Sequence, residues 1–460
     1  MNENSFVLKN TFDRAVKAYK INQLHESEMF FTSILKKNPN HLQTIFYLGM
    51  IALKNKEFDK AKIFSQKAIK INPTFAEAHH NLGESFKNLG ETEKAIVSYK
   101  AAITRKPNLF ASYNNLGNLL KEKGENKQAV KYFLSAIKIN PKSFESYNNL
   151  GIVYKLLKDY TRAIECFKNA IEINTQFYMA HYNLGKMYKE MKKYEDAIKY
   201  LKTVNTKRAK AEVLESIYLS NNLKAYSNTL KKFSLADGLN LRVATIASYV
   251  SKKENIKNDY PFCRSPFDYI SVQNIKTEIN DPDKFSFALS EALKSYDFIW
   301  QPASKSTTGG FHTSGNLFNS KSSEIKKLEE EINKKIKVFR RQHSKQKDFF
   351  ITKWPSKSNI EAWHVKLLKK GFQTSHIHPS GWLSGCFYLK IPSDLKKDEG
   401  AIKFTLSGYD YPFDKKLPVF TYTPKVFDLV VFPSSLFHET IPFNSKQERH
   451  VIAFDIMPTR

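Results

Sequence analysis

A unit of 34 residues recurs through the first half of this chain, and no other feature of the sequence restricts its folding so tightly. Leu48-Gly49, Leu82-Gly83, Leu116-Gly117, Leu150-Gly151 and Leu184-Gly185 keep that spacing, as do Ala61, Ala95, Ala129, Ala163 and Ala197. Pro39, Pro73, Pro107 and Pro141 close successive units, with Thr175 in the fifth place. A small unit repeated at this period cannot bury an apolar face alone, so each is covered by its neighbour and the set stacks into a solenoid. Regular units start at Leu42, Ala76, Phe110, Phe144 and Tyr178; an irregular first unit at 8–41, lacking the Leu-Gly pair, is placed to cap the array.

The pattern resembles the tetratricopeptide repeat (TPR). That resemblance implies a helix-turn-helix unit in which glycine and alanine allow close helix packing and proline ends the second helix. Asn81, Asn115, Asn149 and Asn183 also recur every 34 residues. In TPR proteins that bind extended peptides a similar asparagine ladder lines the concave groove, so the resemblance implies a protein or peptide partner held there; the alternative is that asparagine is merely common at this repeat position. The solenoid is assigned to residues 1–206. Helical periodicity continues through Val213, Ile217, Leu223, Leu230, Leu241, Ile246 and Val250, which makes 207–258 a helical cap or connector. Pro261-Phe-Cys-Arg-Ser-Pro266 then breaks the pattern, and a second domain takes 259–460.

In that second domain the period changes. Glu361–Leu368, Ser384–Ile391, Ala401–Thr405, Val426–Phe432 and His450–Ile456 are short runs rich in β-branched and aromatic residues, punctuated by glycine and proline, as in a small jelly-roll barrel. Two helices, 284–297 and 322–341, are expected to buttress it. Between them 304–316 is polar and glycine-rich, reads as a surface loop or a lid, and carries His312 as a rival metal ligand. Within the strands His376-Ile377-His378 is followed 60 residues later by His438, with Arg449 eleven residues beyond. Residues two apart on a strand share a face, so His376 and His378 can aim two imidazoles at one point. Such a pair alone is weak, because a strand histidine often satisfies only a local hydrogen bond.

The surrounding residues add more. Trp363-His-Val-Lys-Leu-Leu368, His376-Ile-His-Pro379, Leu383-Ser-Gly-Cys-Phe-Tyr-Leu389, Glu399-Gly-Ala-Ile-Lys-Phe404, Val430-Val-Phe-Pro-Ser434, Phe437-His438 and Glu448-Arg449 resemble the 2-oxoglutarate and Fe(II)-dependent oxygenases, especially the prolyl-4-hydroxylase-like branch and the oxygenases fused behind TPR repeats. The resemblance implies a double-stranded β-helix, Fe(II), 2-oxoglutarate and O2 at the site, and hydroxylation of a C–H bond with release of succinate and CO2. It makes His376 and His438 iron ligands and Arg449 the clamp on the distal carboxylate of 2-oxoglutarate, a role that suits a planar, permanently charged fork. Tyr388 is a candidate donor to the oxo-acid or a core residue, and Trp382 a pocket wall or core filler. One departure stands out. The facial triad is usually completed by Asp or Glu two residues after the first histidine, where this chain has His378. Either His378 is the third ligand or a carboxylate such as Asp410 or Asp428 reaches in. The expected architecture is thus multidomain α + β, a TPR solenoid followed by a jelly-roll oxygenase domain. The alternatives are a non-catalytic adaptor with a degenerate barrel, or the same oxygenase acting on a small molecule, sugar or lipid.

Charge and cysteine usage limit the partners. The net charge is +28, yet only ten of the 73 basic residues are Arg and the lysines are spread over every segment. That distribution suits solvated helix faces better than a nucleic-acid stripe, and attraction to acidic partners is the remaining reading. Cys166, Cys263 and Cys386 lie far apart and no CxxC occurs, as expected in a reducing cytoplasm. No run reaches 18 apolar residues and residues 1–6 lack a basic-then-apolar leader, so a soluble cytoplasmic protein without a membrane span is expected; oligomeric state is left open.

Overall fold

The computed structural model of the chain describes residues 3–302, 306–408, 411 and 413–459. It divides into two compact units, Met1–Met187 and Tyr188–Arg460.

The first unit is helical. Paired helices run Leu42–Lys54 with Phe58–Ile71, Ala76–Asn88 with Thr92–Arg105, Phe110–Glu122 with Asn126–Ile139 and Phe144–Leu156 with Tyr160–Ile173, and Tyr178–Glu190 opens the next pair. Each first helix begins at the residue where the sequence period begins. Why glycine recurs is visible in the packing: a Cβ on Gly83, Gly117 or Gly151 would stand 2.7, 2.9 and 2.7 Å from the rings of Tyr99, Phe133 and Phe167. Glycine and an aromatic residue on the paired helix are therefore one device, and Ala61, Ala95, Ala129 and Ala163 are fully buried beside it. At the unit ends Asn72, Asn140 and Asn174 accept from the backbone N–H two residues on, at 3.0, 3.2 and 3.0 Å. This Asx turn reverses the chain in the fifth unit, where Thr175 replaces proline. The irregular first unit forms Glu3–Lys20 and Leu24–Lys37, and its Ala15, Phe31 and Ile34 pack with Leu48 and Ile51.

The second unit combines helices with two antiparallel sheets. Its strands are β1 (Ser271–Asn274), β2 (Phe298–Trp300), β3 (Thr307–Thr313), β4 (Ser358–Gln373), β5 (Leu383–Lys390), β6 (Ile402–Thr405), β7 (Val419–Tyr422), β8 (Asp428–Pro433), β9 (Phe437–Thr440) and β10 (Arg449–Pro458). The larger sheet has the order β1-β8-β5-β10-β4-β3-β2 and the smaller β7-β6-β9. Phe404 of β6 meets Phe432 of β8 edge-on at 4.9 Å, so the sheets share a core. The two expected helices are Pro282–Leu293 and Ser323–Gln342; Ser322 caps the second, and Ile325, Leu328, Ile332 and Ile336 form its buried stripe. The helices Lys207–Leu219, Leu223–Ala236 and Leu241–Lys253, expected as a connector, belong to this unit. Thr245 Oγ1 lies 2.9 Å from Ser435 O, Ser248 Oγ donates to Cys263 O at 3.3 Å, and Tyr249 meets Tyr411 at 5.0 Å.

The glycine-rich segment is not a surface loop. Thr307–Thr313 is a strand paired antiparallel with β4, with a bulge between Thr308 and Gly310. Gly309 takes φ +64, and a Cβ on Gly310 would stand 2.6 Å from Lys366 O, so both glycines are demanded by the bulge rather than by looseness. Ser304 and Lys305 lie outside the described residues. No helix among the described residues is long and apolar enough to cross a membrane.

Candidate metal centre

His376 and His378 lie between β4 and β5, and His438 is on β9. His376 and His438 form an antiparallel bridge, each N–H donating to the other's carbonyl at 3.1 Å, and this pairing brings two distant segments to one point. His378 N donates to Ser434 O at 2.9 Å, which fixes the third ring beside them. Ring centres are 4.3 Å apart for His376 and His438, and 5.0 Å apart for each pair with His378. One ligand atom from each of the three rings falls within 4.8 Å of the others.

The tautomers are set by what lies behind each ring. His376 Nδ1 is 2.7 Å from Thr374 O and His438 Nδ1 is 3.2 Å from Leu436 O. His378 Nδ1 is 2.7 Å from Asp455 Oδ2. Carbonyl and carboxylate oxygens only accept, so in all three rings Nδ1 carries a hydrogen, which in the neutral imidazole leaves the lone pair on Nε2. Nε2 of His376 lies 3.1 Å from Nε2 of His378 and 3.2 Å from Ser306 Oγ. Two lone pairs at that distance repel unless a proton or a metal cation lies between them; imidazoles sharing a metal at roughly 2.1 Å are about 3 Å apart when their bonds meet at a right angle. Burial and the neighbouring rings hold His376 neutral, its pKa lowered to about 3. The same causes take His438 well below its ordinary value. The donor set fits a borderline divalent metal such as Fe(II), Co(II) or Zn(II).

Along the inner face of the larger sheet a second feature appears. Ser384, Cys386 and Tyr388 alternate on β5, and Asp455, Ala453, Val451 and Arg449 on β10, so one face runs from the histidines to Arg449. Arg449 is 2% exposed, and its Nε has no hydrogen-bond partner among the described residues. Its guanidinium carbon sits 5.1 Å from the centre of the Tyr388 ring, whose buried hydroxyl is likewise unpartnered among them. A buried cation and a buried hydroxyl left open side by side call for an anionic acceptor. A cleft of about 1150 Å³ opens over the histidines, lined among others by Arg242, Ser306, Glu361, Trp363, Gln373 and Asp455.

The remaining candidates are placed elsewhere. Asp428 accepts from Asn274 Nδ2, Tyr422 OH and Lys425 N at 2.8, 2.6 and 2.6 Å, so its carboxylate is committed to the β7–β8 corner. Asp410 lies outside the described residues. His312 is bonded through Nε2 to Thr307 Oγ1. Trp382 fills core: it is 5% exposed and its indole N–H donates to Phe350 O at 2.9 Å. The asparagines are not equivalent. Asn115 donates to Glu84 Oε1 at 2.5 Å and Asn183 to Asn148 Oδ1 at 2.9 Å, while Asn81 is 7% exposed with Nδ2 buried and unpartnered among the described residues. Asn149 is half-buried.

Sequence reasoning passed over Asp455 and the two serines behind it. Ser384 Oγ donates to Asp455 Oδ1 at 2.6 Å and lies 2.8 Å from Ser434 Oγ. The available signal was an acid inside an apolar strand, Phe454-Asp455-Ile456, in phase with Arg449.

Family models match both parts of the chain. The family described as "Putative 2OG-Fe(II) oxygenase" matches residues 361–455. Tetratricopeptide-repeat families match 43–75, 64–97, 83–124, 117–158, 144–177 and 166–199. Among solved structures, MamA is 24% identical over 35% of this chain and 94% of its own, with a TM-score of 0.33. PilF of Pseudomonas aeruginosa is 19% identical over 45% and 97%, at 0.39. YrrB, described as a TPR protein with an unusual peptide-binding site, is 18% identical over 44% and 97%, at 0.34. No curated protein matches the chain. The chain is a fusion of tetratricopeptide repeats, over residues 43–199, with a C-terminal 2OG-Fe(II) oxygenase domain matched over 361–455.

Proposed function

We propose that the chain is a 2-oxoglutarate- and Fe(II)-dependent hydroxylase of a protein or peptide. His376, His378 and His438 hold the iron, and Arg449 with Tyr388 holds the distal carboxylate of 2-oxoglutarate. The observation that carries the reading is the convergence of three imidazoles, with one ligand atom of each within 4.8 Å of the others and Nδ1 of each ring engaged from behind. The family implies Fe(II), 2-oxoglutarate and O2; when bound they supply the coupling of oxo-acid decarboxylation, to succinate and CO2, with C–H hydroxylation.

The chain's own residues bind and orient. Backbone carbonyls of Thr374 and Leu436 keep two rings in the metal-binding tautomer. Arg449 offers a buried, permanently charged fork, and the apolar cluster of Val365, Leu367, Phe443 and Ala453 keeps water from that end of the sheet. TPR repeats are protein-interaction modules, and Asn149 is the ladder residue best placed to pair with a peptide backbone, since Asn115 and Asn183 are tied within the solenoid. The three cysteines are free, which suits the reducing cytoplasm in which we place the protein.

The test is substitution of the two opposed ligands. His376→Ala and His438→Ala should each abolish both Fe(II) binding and 2-oxoglutarate-dependent succinate formation. Retention of tight iron binding by either variant would remove that residue from the centre.

A further inference from the structure

The family's usual triad of two histidines and one carboxylate leaves Fe(II) with one net positive charge, whereas three neutral imidazoles leave two. We propose that Asp455 is the missing carboxylate of this centre, acting from behind His378 as a positioning residue. It supplies through the ring the negative charge that a ligating Asp or Glu would supply directly. The inference rests on the reading that His376, His378 and His438 hold a divalent metal.

The three rings are not treated alike. His376 and His438 donate to neutral backbone carbonyls, at 2.7 and 3.2 Å. Only His378, at the position where the carboxylate is otherwise found, donates to a charged group, Asp455 Oδ2 at 2.7 Å. A carboxylate acceptor strengthens such a bond about twofold over a neutral one and makes the opposite nitrogen a more basic donor. Asp455 itself is held. Its other oxygen accepts from Ser384 Oγ at 2.6 Å, Ser384 lies against Ser434 Oγ at 2.8 Å, and the side chain is 8% exposed. With both oxygens engaged the carboxylate is held against the ring.

The backbone is shaped for this contact. A Cβ on Gly381 would stand 2.8 Å from Ser434 Oγ and 3.1 Å from Asp455 Cγ, so only glycine lets the segment after His378 lie across the carboxylate. Trp363 stacks on the His378 ring at 5.7 Å and 21°, which limits rotation of the imidazole away from Asp455. Asp455 is also paired in register with Glu361 of β4, and its neighbour on β5 is Ser384. Metal-facing ring, charged acceptor, serine pair and glycine form one continuous support.

A purely structural role for Asp455 is separable by a double-substitution cycle read as Mn(II) and Co(II) affinity on the full-length apoprotein, without turnover. Asp455→Asn should weaken both metals by about 10–100-fold. Asp455→Glu, which keeps the charge, should lose less. Ser384→Ala, which frees one carboxylate oxygen without removing charge, should lose least and serves if Asp455→Asn does not fold. In a His378→Asp background the ligand is itself a carboxylate, so adding Asp455→Asn should leave affinity unchanged or improve it. Equal weakening by Asp455→Asn in both backgrounds, or none in the native one, overturns the proposal. Absence of Mn(II) and Co(II) binding by the native chain overturns the histidine centre itself, a distinct result.

Discussion

At the scale of single residues, a few side chains stand where burial alone would not put them. Arg449 is buried, with an Nε unpartnered among the described residues, which is unfavourable for a charged group unless an anion joins it. Arg449→Leu should leave Fe(II) binding intact and raise the 2-oxoglutarate concentration needed for half-maximal turnover, by an amount equivalent to about 2–5 kcal/mol. Unchanged oxo-acid dependence in that variant removes Arg449 from the clamp. His364 is a contrary case: 2% exposed, with neither ring nitrogen partnered among the described residues. Burial first, then His450, Lys366 and His312, lower its pKa to about 3. The unfolded chain takes up this proton as pH falls through about 6.5 and the folded chain does not until about 3, so stability is full above 6.5 and is lost progressively below it. His364→Leu should therefore flatten the acid side of the stability curve, measured by urea unfolding at pH 7 and pH 5, and should cost little at pH 7. A slope identical to the native protein's would show that His364 is protonated in the fold. The convergence of His376, His378 and His438 could be expected from their order and spacing alone. The place of Asp455 could not, since its partner His378 is 77 residues away and meets it only once β10 lies beside β5.

At the scale of elements, the repeat was legible almost to the residue because one steric device recurs in three successive units, at Gly83, Gly117 and Gly151. Phe167 occupies the space a side chain on residue 151 would need, 2.7 Å from that Cβ. Gly151→Ala should destabilise the helical unit by about 1–3 kcal/mol, seen as a lower unfolding midpoint, and should spare metal binding by the other unit. No change in the midpoint would mean that the ring yields freely and the glycine has another cause. Strands were less evenly legible. β4, β5, β8 and β10 carry runs of β-branched and aromatic residues, whereas β3 is Thr-Thr-Gly-Gly-Phe-His-Thr, a composition that reads as loop. What makes it a strand is tertiary: Gly310 lies against Lys366 O too closely for any Cβ, and its bulge can be inferred only from the partner strand.

At the scale of the whole molecule, the helices between the repeats and the sheets change where the chain can be cut. Residues 207–253 carry no strand and read as a connector, yet Thr245, Ser248 and Tyr249 touch Ser435, Cys263 and Tyr411, and Arg242 lines the cleft. A fragment beginning at Tyr188 should fold and bind metal; one beginning at Asn258 should be soluble only poorly, because it exposes the surfaces those helices cover. Equal stability of the two fragments, by thermal unfolding, would show that the helices are dispensable. If the proposed protein substrate is held by the repeats, Asn149→Ala in the full chain should weaken its capture while leaving substrate-free 2-oxoglutarate turnover unchanged, and loss of that turnover would mean the residue acts through the fold. The proposed function requires that this chain activate O2 at iron with 2-oxoglutarate as co-substrate; it rests on the family match and on the three convergent histidines. The most direct measurement is an anaerobic Fe(II) titration of the full-length protein, followed by addition of 2-oxoglutarate and then O2, with succinate as the readout. One Fe(II) per chain, and succinate that requires all three additions, is the expected result; no bound iron, or bound iron without succinate, would contradict it.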